Sequence, residues 1–398
     1  MTTAQSFLFF LILLAGAATA LRLVSRRAPL VPYPVLLAAG GILIGLVPGL
    51  RLPPIGPDLI LLVFVPGLVF EAAMNLDLAE LWRRVVPITL LATAGVFLTV
   101  VLIAALAHYG LGFDWASGFL LGAIVAATDP IAVVQLLRQI GAPAGLEAIL
   151  DGESLFNDGT GVAVFSAVLG TILTGHPSLV DAGLRFVIVT AGGILIGAAA
   201  GAAASVLLRL VREAELEILI TLVLAYGAYL VADIVHTSGV VAVVVAGLVL
   251  AWNESRPGRG ETTQLRGFWS LLAFVLNAIL FLLVGIALPT ARLISVAGLA
   301  LGAYLIMFAA RIVPVYGLLA VADPRARSIP WRWRHMTLWG GLRGGLSVAL
   351  ALSVTAYARV NPSVPVLAYG MVVLSLLVQG GLLRPVADLL GIRKRALD

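Results

Sequence analysis

Long apolar runs broken by short polar stretches dominate this chain. A helix that crosses a bilayer takes roughly 20 apolar residues. Runs near that length recur thirteen times: Ser6–Leu23, Pro32–Val47, Pro57–Asn75, Val85–Tyr109, Trp115–Gln135, Glu147–Leu173, Leu179–Leu210, Glu217–Val235, Ser238–Trp252, Gly267–Leu288, Ile294–Val321, Trp331–Tyr357 and Val364–Leu390. None alternates polar and apolar positions over the ~10 residues of a membrane β-strand. The pattern predicts an all-α polytopic membrane protein of about 13 transmembrane helices, with no loop long enough to fold as a domain of its own.

Composition points the same way. Of 398 residues, 61% are hydrophobic and 11% charged, against roughly 25% charged in a soluble protein. The mean hydropathy is +1.10. A soluble enzyme, a nucleic-acid binder and a disordered scaffold are excluded, because a water-facing exterior needs more charge than this. The net charge of +5 does not bring nucleic acid back, since no basic cluster interleaves with aromatics. With no cysteine, disulfides, iron–sulfur clusters and thiol nucleophiles are out.

The charges are placed unevenly. Taking alternate connections, nineteen basic residues fall on one side and only Arg51, Arg292 and Arg359 on the other. Basic loops stay in the cytoplasm, so the amino terminus is expected outside and the carboxyl terminus inside, in a plasma (bacterial inner) membrane. The first run ends in Ala17-Ala18-Thr19-Ala20, like a signal peptide. Its positive flank follows the run instead of preceding it, which favours a first span.

An ionisable group at membrane depth is costly and so marks function by default. Three constellations stand out. The first is Thr128-Asp129-Pro130, inside the fifth run. Proline has no N–H and clashes with the carbonyl four residues back, so the Ala126 carbonyl loses its helical partner. Broken helices in lipid persist only where protein or a wet cavity meets the freed groups. Two readings stand here side by side: free carbonyls ready for a hard cation, with Asp129 offsetting the positive end of a half-helix, or a proline kink with a capping aspartate.

The second is Glu153-Ser154-Leu155-Phe156-Asn157-Asp158 in the sixth run. Ser154 and Asp158 lie four apart on one helix face. That face offers a hydroxyl and a carboxylate to a small oxygen-coordinated cation. Glu153 and Asn157 share the neighbouring face and suit the holding of adjacent helices.

The third is Gly340-Gly341-Leu342-Arg343-Gly344-Gly345 in the twelfth run. Four glycines weaken the helix at mid-span, and Arg343 needs a carboxylate partner there; Glu153 is the candidate. Spans 5 and 12 take equivalent places if spans 1–6 and 8–13 are inverted repeats, the pattern of transporters whose site lies between broken helices. Glu71, in the third run, is a further oxygen or a protonated structural carboxyl. Asp233 and Arg311 are expected to pair as a structural bridge. His108, His176, His236 and His335 fall near run ends and read as interfacial.

Taken together, Thr128-Asp129-Pro130, Glu153-Ser154-Leu155-Phe156-Asn157-Asp158-Gly159 and Gly341-Leu342-Arg343-Gly344 resemble the NhaP-type sodium/proton antiporters, the branch of the monovalent cation:proton antiporters that includes the animal exchangers. The resemblance in span count and motif order covers nearly the whole chain. It implies an NhaA/NhaP-like fold of inverted six-helix repeats with two unwound, crossing helices. It implies a homodimer, with a core domain near residues 85–173 and 294–390 and a dimerisation domain near residues 1–80 and 178–290. By motif position, Asp158 would accept the ion or the proton. Ser154, the Thr128 carbonyl and Glu71 would complete a sodium site with water. Asn157 would tie the sixth helix to the fifth, Asp129 would balance the half-helix ends, and Glu153 and Arg343 would form the core ion pair.

The transport chemistry follows from the carboxylate itself, since a proton and a cation each neutralise it and therefore compete. Asn157 stands where electrogenic relatives carry a second aspartate, so the comparison implies electroneutral exchange of one sodium or lithium ion for one proton. No resident cofactor is expected, and the partners are the two ions, membrane lipid and a second copy of the chain. A potassium/proton antiporter is the nearest alternative and a cation channel a more distant one. No His-Glu-x-x-His or Walker motif supports an enzyme or an ATP-driven pump.

Overall fold

The computed structural model describes residues 3–27, 31–47, 56, 60–174, 179–211, 213–254, 263–287 and 295–392. His176 and the basic residues Arg51, Arg256, Arg259 and Arg292 lie outside them. Every described regular element is helical.

In chain order the first helices are α1 (Thr3–Arg27), α2 (Tyr33–Gly45), α3 (Ile60–Met74), the short surface helix α4 (Leu78–Arg83), α5 (Val85–Leu111), α6 (Trp115–Ile124), α7 (Ile131–Gln139) and α8 (Ala144–Thr174). There follow α9 (Leu179–Leu210), α10 (Ala214–Ile234), α11 (Gly239–Glu254), α12 (Thr263–Ile286), α13 (Ala297–Ala322), α14 (Trp331–Trp339), α15 (Gly345–Ala356), α16 (Ser363–Gly380) and α17 (Leu383–Leu389). Among the described residues, eight helices are long and apolar enough to cross a membrane. Five shorter apolar helices, α2, α3, α6, α11 and α15, fall on the remaining apolar runs.

The thirteenth run is divided between α16 and α17 only by a turn at Leu382, whereas two other runs are broken mid-run by several non-helical residues. The fifth gives α6 and α7, separated at Val125–Pro130; the twelfth gives α14 and α15, separated at Gly340–Gly344. These are the two interruptions that proline and the glycine cluster foretell.

The helices pack mainly in two groups. One comprises α2, α3 and α9–α12; the other α5, α6, α8, α13, α15 and α16. Within the first group, α2 and α12 approach so closely that a Cβ on Gly41 would strike the Leu282 carbonyl and one on Gly285 the Ala38 carbonyl. Without a hydrophobic force between helices in lipid, such close backbone contact through small residues is what holds spans together.

Aromatic groups gather where the helices end. His108 stacks on Trp115 with ring centroids 4.5 Å apart, and its Nδ1 sits 2.6 Å from the Phe113 carbonyl. His335 meets the Tyr316 hydroxyl beside Trp331. His236 follows the end of α10 with a positive φ of 58°. These three positions agree with an interfacial reading, Tyr and Trp being enriched at membrane–water boundaries.

The connection from α13 to α14 is tightly tied. The Asp323 carboxylate accepts from the backbone N–H groups of Arg327, Ser328 and Ile329, at 3.3, 2.8 and 2.6 Å. Arg334 is buried and donates to the Asp323 and Ile329 carbonyls. Its charge therefore caps a helix end instead of facing solvent, as a loop arginine would.

Candidate functional site

The site is built where the two interruptions meet. The Asp129 N–H donates to the Leu342 carbonyl at 2.8 Å, so the broken backbones cross in direct contact. Gly344 is required at this crossing, because a Cβ there would run into the Asp129 carboxylate. Asp129 also accepts from the Ile131 N–H at 3.1 Å and so caps the start of α7. It thus lies between the amino-terminal ends of the two half-helices α7 and α15, where partial positive charge collects.

Four of the backbone groups freed by the first interruption find side-chain partners. Arg343 Nη1 donates to the Ala126 carbonyl at 2.6 Å and to the Ala127 carbonyl at 2.9 Å. The Ser154 hydroxyl donates to the Thr128 carbonyl. Asn157 bonds Thr128 twice, accepting from its N–H at 3.2 Å and donating to its hydroxyl at 2.7 Å. Protein side chains thereby meet much of the irregular segment's hydrogen-bonding need, as membrane depth requires. The Ala126 carbonyl, expected to lie open to a cation, is instead occupied by Arg343. The Thr128 carbonyl keeps a second lone pair beyond its bond to Ser154.

The core ion pair differs from expectation. Glu153 pairs with Arg311, Oε1 to Nη2 at 2.8 Å, and not with Arg343. Both side chains are almost fully buried, at 3% and 7% exposure. Arg311 also donates to the Thr337 carbonyl at 3.2 Å, which joins α13 to α14. Arg343 is committed elsewhere, to the orphaned carbonyls and, through its own N–H, to Ser375 Oγ at 3.1 Å. The expected bridge between Asp233 and Arg311 is likewise not formed. Asp233 is exposed at the end of α10, and a charge that reaches water has no need of a buried partner. Both differences share one cause: Arg311 lies 158 residues from Glu153, and only packing of α13 on α14, and of α14 on α8, brings them together.

Asp158, Ser154, Thr128, Asp129 and Glu71 all line one cavity of about 120 Å³. Glu71 is partly buried and accepts from Asn75 Nδ2 at 2.8 Å. A second cavity shares Glu71, Ile131, Asp151 and Asn277 with the first and extends to Arg138 and Tyr33. A third shares Tyr33 and Gln135 with the second and reaches Arg22 and Arg26. The three cavities therefore lie in a row from Asp158 toward the end of the molecule that carries Arg22, Arg26 and Arg138.

Asp151, Asn277 and Ser347 line the Asp158 cavity without having been singled out from sequence. Asp151 bonds Arg138 at 3.0 Å. It stands seven residues before Asp158, two helical turns, hence on nearly the same face; that spacing was a readable signal. Asn277 is a lone amide in an apolar run, a weak one. Ser347 gave none.

Two interrupted helices crossing beside a carboxylate that lines an internal cavity, with further cavities toward one end, define a secondary transporter of the broken-helix class. Residues 9–389 match the family described as sodium/hydrogen exchanger, transmembrane, and the chain belongs to that family. It is 36% identical over 392 residues to the Na⁺/H⁺ antiporter ApNhaP of Aphanothece halophytica, covering 98% of this chain and 75% of that protein. It is 37% identical over 384 residues to the low-affinity Na⁺/H⁺ antiporter NhaS1 of Synechocystis, covering 93% and 72%. Its fold is that of the sodium proton antiporter MjNhaP1 of Methanocaldococcus jannaschii at pH 8, with a TM-score of 0.78 at 20% identity over 97% of this chain and 100% of that one.

Proposed function

We propose that the chain is an electroneutral antiporter exchanging one sodium or lithium ion for one proton, with both competing for Asp158. The observation that carries this reading is the placement of Asp158. Its carboxylate lines a small cavity at the crossing of the two interruptions, beside a hydroxyl, a backbone carbonyl and Glu71. A carboxylate in a low-dielectric cavity with no cationic side chain beside it must be neutralised, by a proton or by a cation. Mutual exclusion at one group couples the two flows without any other device. The names of the relatives, all Na⁺/H⁺ antiporters, favour the same substrates.

In this reading Asp158, Ser154, the Thr128 carbonyl and Glu71 hold the sodium ion. Asn157 and Asp129 keep the crossing in register. Glu153, Arg311 and Arg343 brace it. The group containing α5, α6, α8, α13, α15 and α16 is the moving core, and the group of α2, α3 and α9–α12 is the scaffold through which two copies pair. The basic end, with Arg22, Arg26 and Arg138, faces the cytoplasm of a plasma membrane, and the row of cavities from Asp158 lies toward that side.

The test is cation-driven collapse of a preset pH gradient in proteoliposomes, comparing Na⁺, Li⁺ and K⁺, with and without valinomycin to clamp the potential. Na⁺ or Li⁺ should collapse the gradient, clamping should leave the rate unchanged, and Asp158→Asn should abolish exchange. Retained antiport in Asp158→Asn refutes the site. Collapse by K⁺ alone refutes the substrate and supports a potassium/proton antiporter.

A further inference from the structure

Two oxygen atoms in the wall of the Asp158 cavity are left without any use in this mechanism. Ser347 is the third residue of α15 and is 1% exposed, yet its hydroxyl has no hydrogen-bond partner in the protein. Asn277, midway along α12, has a buried Oδ1 that is also unpartnered. Both residues line the cavity with Asp158, Ser154 and Glu71. Buried polar atoms in folded proteins are nearly always paired, so an exception calls for an explanation. Of nine such atoms among the described residues, these two line one cavity, and that cavity holds the carboxylate expected to bind a cation.

The chemistry of the two atoms fits that use. A hydroxyl and an amide carbonyl are neutral oxygen donors, the type that surrounds a hard monovalent ion without adding charge. The set from α8, the first interruption and α3 approaches the ion through Asp158, Ser154, Thr128 and Glu71. Nothing in it comes from α15 or α12. Resting on the antiport reading above, we infer that Ser347 Oγ and Asn277 Oδ1 complete the coordination of the transported cation, Ser347 from the moving core and Asn277 from the scaffold.

The two contributions differ in kind. Ser347 stands on α15, just past the second interruption, and packs within the same helix group as Asp158. Its contact travels with the ion. Asn277 belongs to α12, which packs on α2 and α3. It also lines the second cavity, on the way toward Arg138. Its contact is made in the state open to that end and lost when the core moves away. Ser347 thereby acts on selectivity, and Asn277 on capture and release at one face.

Ion size gives the test its direction. Lithium is satisfied by fewer oxygens than sodium, because fewer fit around the smaller ion. Deleting a neutral ligand therefore weakens sodium more than lithium. Transport would be measured in proteoliposomes for wild type, Ser347→Ala, Ser347→Thr, Asn277→Ala and Asn277→Asp, with KM and the saturating rate determined separately for Na⁺ and Li⁺. Ser347→Ala is expected to raise the sodium KM by about 3- to 10-fold, the loss of one neutral ligand, with a smaller rise for lithium and a saturating rate near wild type. Ser347→Thr, which keeps the hydroxyl, should restore the sodium-to-lithium ratio. Asn277→Ala should raise KM for both ions, and Asn277→Asp, which keeps an oxygen there but makes it negative, should not.

Unchanged KM in both alanine variants would overturn the assignment, since the two oxygens would then meet only water. A uniform loss of saturating rate for every ion, with KM unmoved, would overturn it too and mark the residues as structural. Failure of the antiport reading looks different: the wild type would move no protons with any cation, or Asp158→Asn would remain active.

Discussion

The brace behind the site supplies the sharpest quantitative prediction. Glu153 and Arg311 are paired at 2.8 Å with 3% and 7% of their side chains exposed. Removing one partner of such a pair strands the other charge at low dielectric, which costs about 3–5 kcal/mol. Arg311→Met should therefore be among the most destabilising single changes in the core. Arg343→Met acts by another route. It strips the donors from the Ala126 and Ala127 carbonyls, each left unsatisfied at about 1–3 kcal/mol. The two losses are similar in size, so single variants do not separate the arrangements, but a double-mutant cycle does. Glu153→Gln combined with Arg311→Met should fall well short of the sum of the single effects, with a coupling of about 1–3 kcal/mol. Glu153→Gln combined with Arg343→Met should show a smaller coupling, because those two charges act on each other without a hydrogen bond. The assay is thermal unfolding of the purified protein in one detergent, read as the order of midpoints across the six proteins, wild type included. A larger coupling to Arg343 than to Arg311 would refute the pairing and restore the partner that the sequence suggests.

Two further outcomes follow from the crossing and from the α13–α14 connection. Gly344→Ala places a Cβ in the space of the Asp129 carboxylate, so exchange should fall to background while Gly381→Ala, which meets nothing within 4 Å, keeps wild-type rates; equal activity in the two would show that the crossing tolerates separation. At Asp323, burial pushes the carboxyl up, but the N–H groups of Ile329, Ser328 and Arg327 outweigh it and hold the group below the usual carboxylate range. A folded-state value lowered in this way gives stability that is fully present above the ordinary carboxylate range and is lost as pH falls through the lowered value. Asp323→Asn should therefore lower the unfolding midpoint at neutral pH, with the gap to wild type closing in acid; a gap independent of pH would show that the carboxylate charge is not what ties the connection.

The sequence by itself determined the class, the placement of the helices and the two interruptions. Apolar length decides spanning, because lipid satisfies no backbone group and only whole helices remain. Pro130 and the glycines around Arg343 decide where those helices break, through a missing N–H and a backbone too free to hold its turn. The face shared by Ser154 and Asp158 follows from 3.6 residues per turn, and the same rule could have found Asp151. All of these are local properties, carried within a few residues of chain. The tertiary structure alone decided the long-range partners. Arg343 reaches the Ala126 and Ala127 carbonyls, Arg311 takes Glu153, and Asp233 is left at the surface. Charge-matching along a sequence offers several equally neutral pairings, whereas helix packing brings only one set within 3 Å. Ser347 and Asn277 mark the limit most plainly. A serine or an asparagine in an apolar run is ordinary until the folded chain turns its oxygen toward a cavity and leaves it unpaired.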